Sequence, residues 1–512
     1  MKPPRLLVLI TIAFFTIIII IPIIYIIWLV VSDLTFQNIF EGRHIILLKN
    51  SLIISLGTTF FSLILGVPSA FLISQLQSNK YRFMILLCSI ISLLIPPYIQ
   101  AIVWSQLSIY IKKYINFINI YNFEGAIFIL TLSYFSYITL LTFTGLQSID
   151  RNHLEVALLS QNKWKSLVNI ILPMLMPYIF AGAIFVFIFS IIDFGIPDML
   201  RLNVYPVEIF IQYSAFYNDR AAIILSFPII LLTATIVILQ KVYMKNRSYI
   251  QIYSGYQNLK PIYSTKWLST VTIPTIFLSS IVPIIVLLTS SGNFSNYMNA
   301  LVTSKNQFFF TIMISAMSAF FILIFSLFLA IILERSNHIY TKIIHSIALI
   351  PLAIPAITIG ICMITIWNQK FIDFVYSSSI IIVLAYTFKF LPFAVILIIS
   401  SLKNINKNLE ESACLSTSSW FRVMNNITFS LLKPSLLFAF FVIFILSIGE
   451  LGTTVLIMPP GRETITLKIF NYMHYSDYKT VNALCLILIF IILGLSGLAG
   501  IIYKKVLKVN FS

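Results

Sequence analysis

The sequence predicts an all-α polytopic membrane protein with twelve transmembrane helices arranged as two parallel six-helix repeats. Three observations carry that prediction: the composition, the spacing of apolar runs, and a repeat with a period of half the chain. Of 512 residues, 59% are hydrophobic and 10% charged, with a mean hydropathy of +1.00. An ordinary soluble domain is about 25% charged. A spanning helix needs about 20 apolar residues to cross roughly 30 Å of hydrocarbon, and no soluble domain of normal size fits between the runs present here.

Apolar runs bounded by charge or turn clusters place spans at 6–31, 50–74, 84–111, 126–147, 172–194 and 221–241, then at 267–290, 306–333, 343–368, 379–401, 434–456 and 481–503. The first begins like a signal peptide after Lys2 and Arg5, but it is too long and no small-residue cleavage site follows, so it is expected to be retained. Pro96, Pro97, Pro351 and Pro355 fall inside the third and ninth spans and should kink them. With the N-terminus inside, 21 of the 33 Lys and Arg fall on inner segments, 11 on outer segments, and Lys389 within a span. Only 5 of the 16 acidic residues lie inside. The positive-inside rule then puts both termini in the cytoplasm and accounts for the net charge of +17 without nucleic acid. Four scattered cysteines and five His residues show no ligand spacing, so neither a disulfide framework nor a metal site nor a cofactor is expected.

The repeat shows in an unusual polar insert. "LEVALLSQNKWKSLVNIILPMLMP" at 154–177 returns as "LEESACLSTSSWFRVMNNITFSLLKPSL" at 409–436, with Trp164 and Trp420 256 residues apart. "IPPYI" at 95–99 answers "IPAIT" at 354–358, "DFGIP" at 193–197 answers "ELGTT" at 450–454, and "EIF" at 208–210 answers "KIF" at 468–470. Four matches in one order, all at offsets of 256 to 260, divide the chain into a first repeat at 1–241, a basic cytoplasmic linker at 242–266 and a second repeat at 267–512. Each repeat holds an even number of spans, so both start from the same side and should be related by a pseudo-two-fold axis along the membrane normal.

Both inserts fall on the cytoplasmic side, after the fourth and tenth spans. Each is far longer than a connection requires and keeps a helical pattern. One reading is an amphipathic helix lying in the headgroup layer; the other is a docking element presented twice to a two-fold partner. The pattern of Glu155, Ala157, Ser160, Trp164, Ile170, Leu172 and Pro173, matched by Glu410 or Glu411, Ala413, Ser416, Trp420 and Ile427, resembles the signature loop of binding-protein-dependent ABC importer permeases of the type I fold. Ser160 and Ser416 stand where that family carries glycine, and Ser430 stands where it carries proline. The resemblance implies that each insert is a coupling helix seated on one of two cytoplasmic ATPase subunits, moving as a lever while the bundles switch between inward-open and outward-open states. Catalysis would then belong to the partner; the chain carries no glycine-rich loop ahead of Lys-Ser or Lys-Thr.

The run from Gly449 to Ile489, with its Glu-Leu, Pro-Pro-Gly and Met-His-Tyr elements, is similar to the last loop and helix of fused ferric-iron-type permeases. The resemblance implies a bacterial inner-membrane location, a periplasmic binding protein as donor, and ferric iron as the first-choice solute, with thiamine, polyamines and phosphonates as alternatives. Asp193 with Gly195, and Glu450 with Gly452, sit at equivalent places near the outer ends of spans five and eleven. They are candidate pathway or outer-gate residues; the competing expectation is that they cap the span ends and pair with the outer loop. Lys389 is expected to snorkel outward. Arg462, Glu463, His474 and Asp477 lie on the outer loop, where the binding protein would dock; the alternative reading is that they are solvated loop charges. A twelve-span secondary transporter is the rival class, but it would concentrate its inner motifs after spans two and eight. A membrane enzyme lacks any catalytic cluster at a useful spacing.

Overall fold

The structure is a computed structural model that describes residues 3–32, 42–112, 119–149, 162–245, 265–336, 339–416, 419–475 and 478–510. Every regular element among them is helical. The first series comprises α1 (Arg5–Ser32), α2 (Gly42–Gln75), the bent pair α3 (Asn79–Leu94) and α4 (Pro97–Lys112), α5 (Phe123–Ser148), α6 (Leu167–Ile191), the short α7 (Gly195–Met199) and α8 (Tyr205–Ser214), and α9 (Asp219–Gln240). The second comprises α10 (Lys266–Ser290), α11 (Phe294–Arg335), the bent pair α12 (Tyr340–Ala353) and α13 (Ala356–Trp367), α14 (Ile380–Lys403), α15 (Lys407–Ser416), α16 (Trp420–Ile448), the short α17 (Thr454–Ile457), α18 (Ile465–Tyr475) and α19 (Tyr478–Val506).

Among the described residues, ten helices are long and apolar enough to cross a membrane, or twelve if each bent pair is one span. The expected proline kinks are full breaks. α3 and α4 meet at 93°, and α12 and α13 at 110°. The cause is local: Ile95 and Ile354 each precede a proline and adopt extended backbone, with ψ of 115° and 127°, because the proline ring crowds a helical conformation at the residue before it.

Compactness and repetition divide the chain along different lines. One compact unit is Phe40–Glu208 with Leu231–Gly292; the other is Met1–Ile39, Ile209–Ile230 and Asn293–Ser512. Each unit therefore takes the first span of the opposite repeat. In the former, α10 packs on α2, α3 and α4, and α2, α5 and α6 pack against one another. Gly66 and Gly182 let α2 and α6 approach Ile138 of α5 so closely that a Cβ on either would come within 2.9 Å of it. Small residues at such crossings are how helices associate where lipid removes most of the hydrophobic drive. In the latter unit, α11, α14 and α16 pack together in the same way, with Ser326, Ala439 and Val395 at the matched positions. There α1 packs on α11 and α13, and the buried Cys362 thiol donates to the Pro22 carbonyl at 3.7 Å.

Four spans carry one widened turn with π-type hydrogen bonding: Thr16–Ile20 in α1, Leu167–Ile171 in α6, Phe277–Ile281 in α10 and Met424–Phe429 in α16. They form two matched pairs. In the first three, a proline follows two residues after the turn (Pro22, Pro173, Pro283). Proline cannot donate to the carbonyl four residues back and its ring collides with it; widening the preceding turn relieves the collision. In the fourth, Ser430 occupies the matched place, and its hydroxyl donates to the Asn425 carbonyl at 3.4 Å.

Candidate functional site

Two regions hold the residues that the sequence marked out. At the first insert, Glu155, Ala157 and Ser160 lie outside the described residues. A single helical turn, Lys163–Ser166, includes Trp164 and runs directly into the widened turn and Pro173 at the head of α6. The insert and the span are therefore one continuous helical path from Lys163 onward.

The second insert is more complete. α15 carries Glu410, Glu411, Ala413 and Ser416, and α16 starts at Trp420. Either glutamate fits the sequence pattern, and the structure separates them. Glu411 is exposed, whereas Glu410 is buried at 6% exposure. Its Oε1 accepts hydrogen bonds from Arg335 Nη2 at 2.9 Å and Thr428 Oγ1 at 3.0 Å. Arg335 closes α11, Thr428 sits in the widened turn of α16, and the guanidinium also reaches the Leu402 carbonyl at 3.5 Å. Neither Arg335 nor Thr428 was marked by the sequence; the available signal was a basic residue closing a 42-residue helix after a long apolar run. Trp420 stacks edge-on against Phe421 and, with Phe328, Arg422, Met424, Asn425, Asn426 and Phe429, lines a pocket of about 450 Å³.

At the other end of the spans, Asp193 and Glu450 each cap the short helix that follows. Asp193 Oδ1 accepts from the Ile196 amide at 2.9 Å; Glu450 Oε1 accepts from the Thr453 amide and hydroxyl, both at 3.0 Å. Acceptors in this position satisfy amides that a helix start leaves open. The second carboxylate oxygen differs between them. Asp193 Oδ2 accepts from the Tyr134 hydroxyl of α5 at 3.2 Å, while Glu450 Oε2 lies 2.5 Å from Lys389 Nζ of α14. Lys389 therefore does not snorkel outward. Its stem crosses to a carboxylate whose side chain is 8% exposed, because a paired cation costs far less there than an unpaired one. The Glu450 carbonyl also accepts from Thr454 and Thr466 hydroxyls at 3.1 and 3.0 Å, which ties the end of α16 to α17 and α18. The capping expectation is met in geometry, and the second carboxylate oxygen of each acid meets span four or span ten. Gly452 is sterically required: a Cβ there would lie 2.6 Å from that of Ala356, at the head of α13. Gly195 has room, its nearest neighbour being the Tyr98 Cβ at 3.6 Å.

On the outer loop, Glu463 accepts from Asn471 at 3.0 Å and Gln307 at 3.5 Å, and Arg462 donates to the Ser379 hydroxyl and lies 5.9 Å from the Phe310 ring centre. Asp477 lies outside the described residues, as does the side chain of His474.

A family profile described as binding-protein-dependent transport system inner membrane component matches residues 5–248 and again 323–508. The chain belongs to that family. It is a fused, two-half permease of the type I architecture, multi-pass in the membrane, and the double match coincides with the duplicated inserts. Among its relatives, the Fe(3+)-transport system permease protein FbpB 2 of Haemophilus influenzae is 22% identical over 490 residues, covering 92% of this chain and 91% of the relative. The ferric transport system permease protein FbpB of Actinobacillus pleuropneumoniae is 22% identical over 499 residues, covering 89% and 71%. The probable sulfate transport system permease protein cysT of Marchantia polymorpha is 31% identical over 186 residues, covering 34% and 64%. For this permease, as for its relatives, the activity is transport.

Proposed function

We propose that this permease forms the translocation pathway of an ATP-driven importer in a bacterial inner membrane, taking ferric iron from a periplasmic binding protein, with both termini in the cytoplasm. Two ATPase subunits dock on the two inserts, one through 154–173 and one through 409–434. The observation that carries this reading is the matched pair of inserts, each with a tryptophan and a widened turn leading into a span. A helical path from insert to span is the mechanical requirement for a lever, because a flexible joint would absorb the displacement. The repeats at 1–241 and 267–512, joined by 242–266, supply one lever each. Asp193 with Gly195 and Glu450 with Gly452 act at the outer gate. Iron is favoured over other solutes because likeness to ferric permeases runs through nine-tenths of the chain, whereas likeness to the sulfate permease covers a third.

The test is uptake of radiolabelled ferric iron by cells expressing the permease with its neighbouring ATPase and binding protein. Trp164→Ala combined with Trp420→Ala should abolish uptake and co-purification of the ATPase. Uptake that persists in the double variant, or that collapses with a protonophore while ATP is maintained, sinks the importer reading in favour of a secondary transporter.

A further inference from the structure

The acidic residue that opens the second insert is turned inward. Glu410 receives Arg335 and Thr428 on one carboxylate oxygen, so the insert helix α15, the end of α11 and the widened turn of α16 all meet at a single atom. Both members of the ion pair are buried, with side chains 6% and 8% exposed. Parting such a pair strands a charge in a low-dielectric setting, which costs more than the bend or slide needed to keep it together. Displacement of α15 therefore carries α11 and α16 with it. At the matching end of α2 in the first repeat stands Gln75, 260 residues before Arg335.

We propose that Arg335 is a positioning residue for transport: through Glu410 it sets the angle of α15 on α11, so that force applied to the second insert reaches the spans, while the exposed Glu411 faces the partner. The proposal rests on the reading that an ATPase docks at the insert. It is tested in proteoliposomes holding the permease with its ATPase subunits and the iron-loaded binding protein, scoring three quantities: ATPase retained, ATP hydrolysed, and ferric iron moved per ATP. Arg335→Met and Glu410→Gln should retain the ATPase and its hydrolysis within about two-fold, yet move at least ten-fold less iron per ATP. Arg335→Lys should recover much of the loss. Arg335→Gln with Glu410→Leu, which leaves no buried charge, should fold in normal amount and remain uncoupled. Glu411→Gln should instead lower ATPase retention and leave iron per ATP unchanged. If the Gln/Leu variant moves iron per ATP as the wild type does, or if every variant loses only folded protein at constant iron per ATP, Arg335 has no positioning role. A wild-type permease that retains no ATPase overturns the docking reading instead, and is seen before any variant is made.

Discussion

The two repeats keep the same backbone pins and differ in their charges. In the first, the Ser51 hydroxyl of α2 accepts from the Tyr205 amide at the head of α8, at 2.9 Å; in the second, Thr311 of α11 accepts from the Ile465 amide at the head of α18, at 2.8 Å. Both partners are displaced by 260 residues. The turn before these helices is also shared, since Arg201 and Gly461 both have left-handed backbone, with φ of 56° and 76°. Yet three residues into the helix, Glu208 pairs with Arg43 at 2.8 Å, while its counterpart Lys468 donates to the Thr303 carbonyl at 2.7 Å, Thr303 being the match of Arg43. The acids at the span ends follow the same rule, with Asp193 meeting a tyrosine and Glu450 a lysine. A buried amide with no acceptor costs about 1–3 kcal/mol wherever it lies, and any hydroxyl supplies the need. A charge has no such generic substitute, so charged contacts are where two copies of one fold drift apart and acquire separate tasks.

The sharpest way to break this comparison is at the Lys389–Glu450 pair, whose acid in the other repeat meets a tyrosine. Lys389→Met should destabilise the detergent-solubilised protein by about 3–5 kcal/mol, as expected for a stranded buried charge, whereas Tyr134→Phe at Asp193 should cost only about 1 kcal/mol. Thermal unfolding followed by gel filtration reads both, and Lys389→Met with Glu450→Gln should recover most of the loss. Equal costs at the two acids would mean that the lysine adds nothing beyond a hydrogen bond. The shared pins make the opposite prediction. Ser51→Ala and Thr311→Val should each lose about 1–3 kcal/mol and agree with one another; a large inequality would show that the repeats are not held alike.

Packing at the two glycines separates next. Gly452→Ala drives a methyl into Ala356 and should cost about 1–3 kcal/mol, while Gly195→Ala should be close to neutral; similar melting temperatures for both would contradict the close approach in the second repeat. The smallest effects lie in the turns. Arg201→Gly should stabilise, and Gly461→Ala destabilise, each by about 1 kcal/mol, since left-handed backbone burdens every residue with a Cβ. Ser430→Pro should leave folding and uptake unchanged, because the widened turn before it already accommodates a proline at the matched position in α6.

Membrane insertion, helix content, the sites of the inserts and the duplication were legible in the sequence, because each is written as a local run or a repeated string. The insert tryptophans and the acids at 193 and 450 were singled out as candidates in the same way. Arg335, Thr428 and the partner of Lys389 were not, since each becomes significant only through a residue 61, 75 or 18 positions distant. The depth of the proline breaks was not legible either: a kink and a break of 93° have the same prolines, and the extended backbone at Ile95 and Ile354 is what separates them.

By itself, then, the sequence determined that the chain lives in a membrane and that it is two copies of one plan, because hydrocarbon imposes length and polarity on every span separately. Only the tertiary structure decided that each compact unit takes the first span of the opposite repeat, that Glu410 turns inward while Glu411 does not, and that Lys389 belongs to Glu450. Those outcomes depend on which surfaces meet. In a chain where nearly every helix face is apolar, periodicity cannot say which face meets which; small residues that permit close approach, and the cost of leaving a charge or an amide unmatched, make that choice.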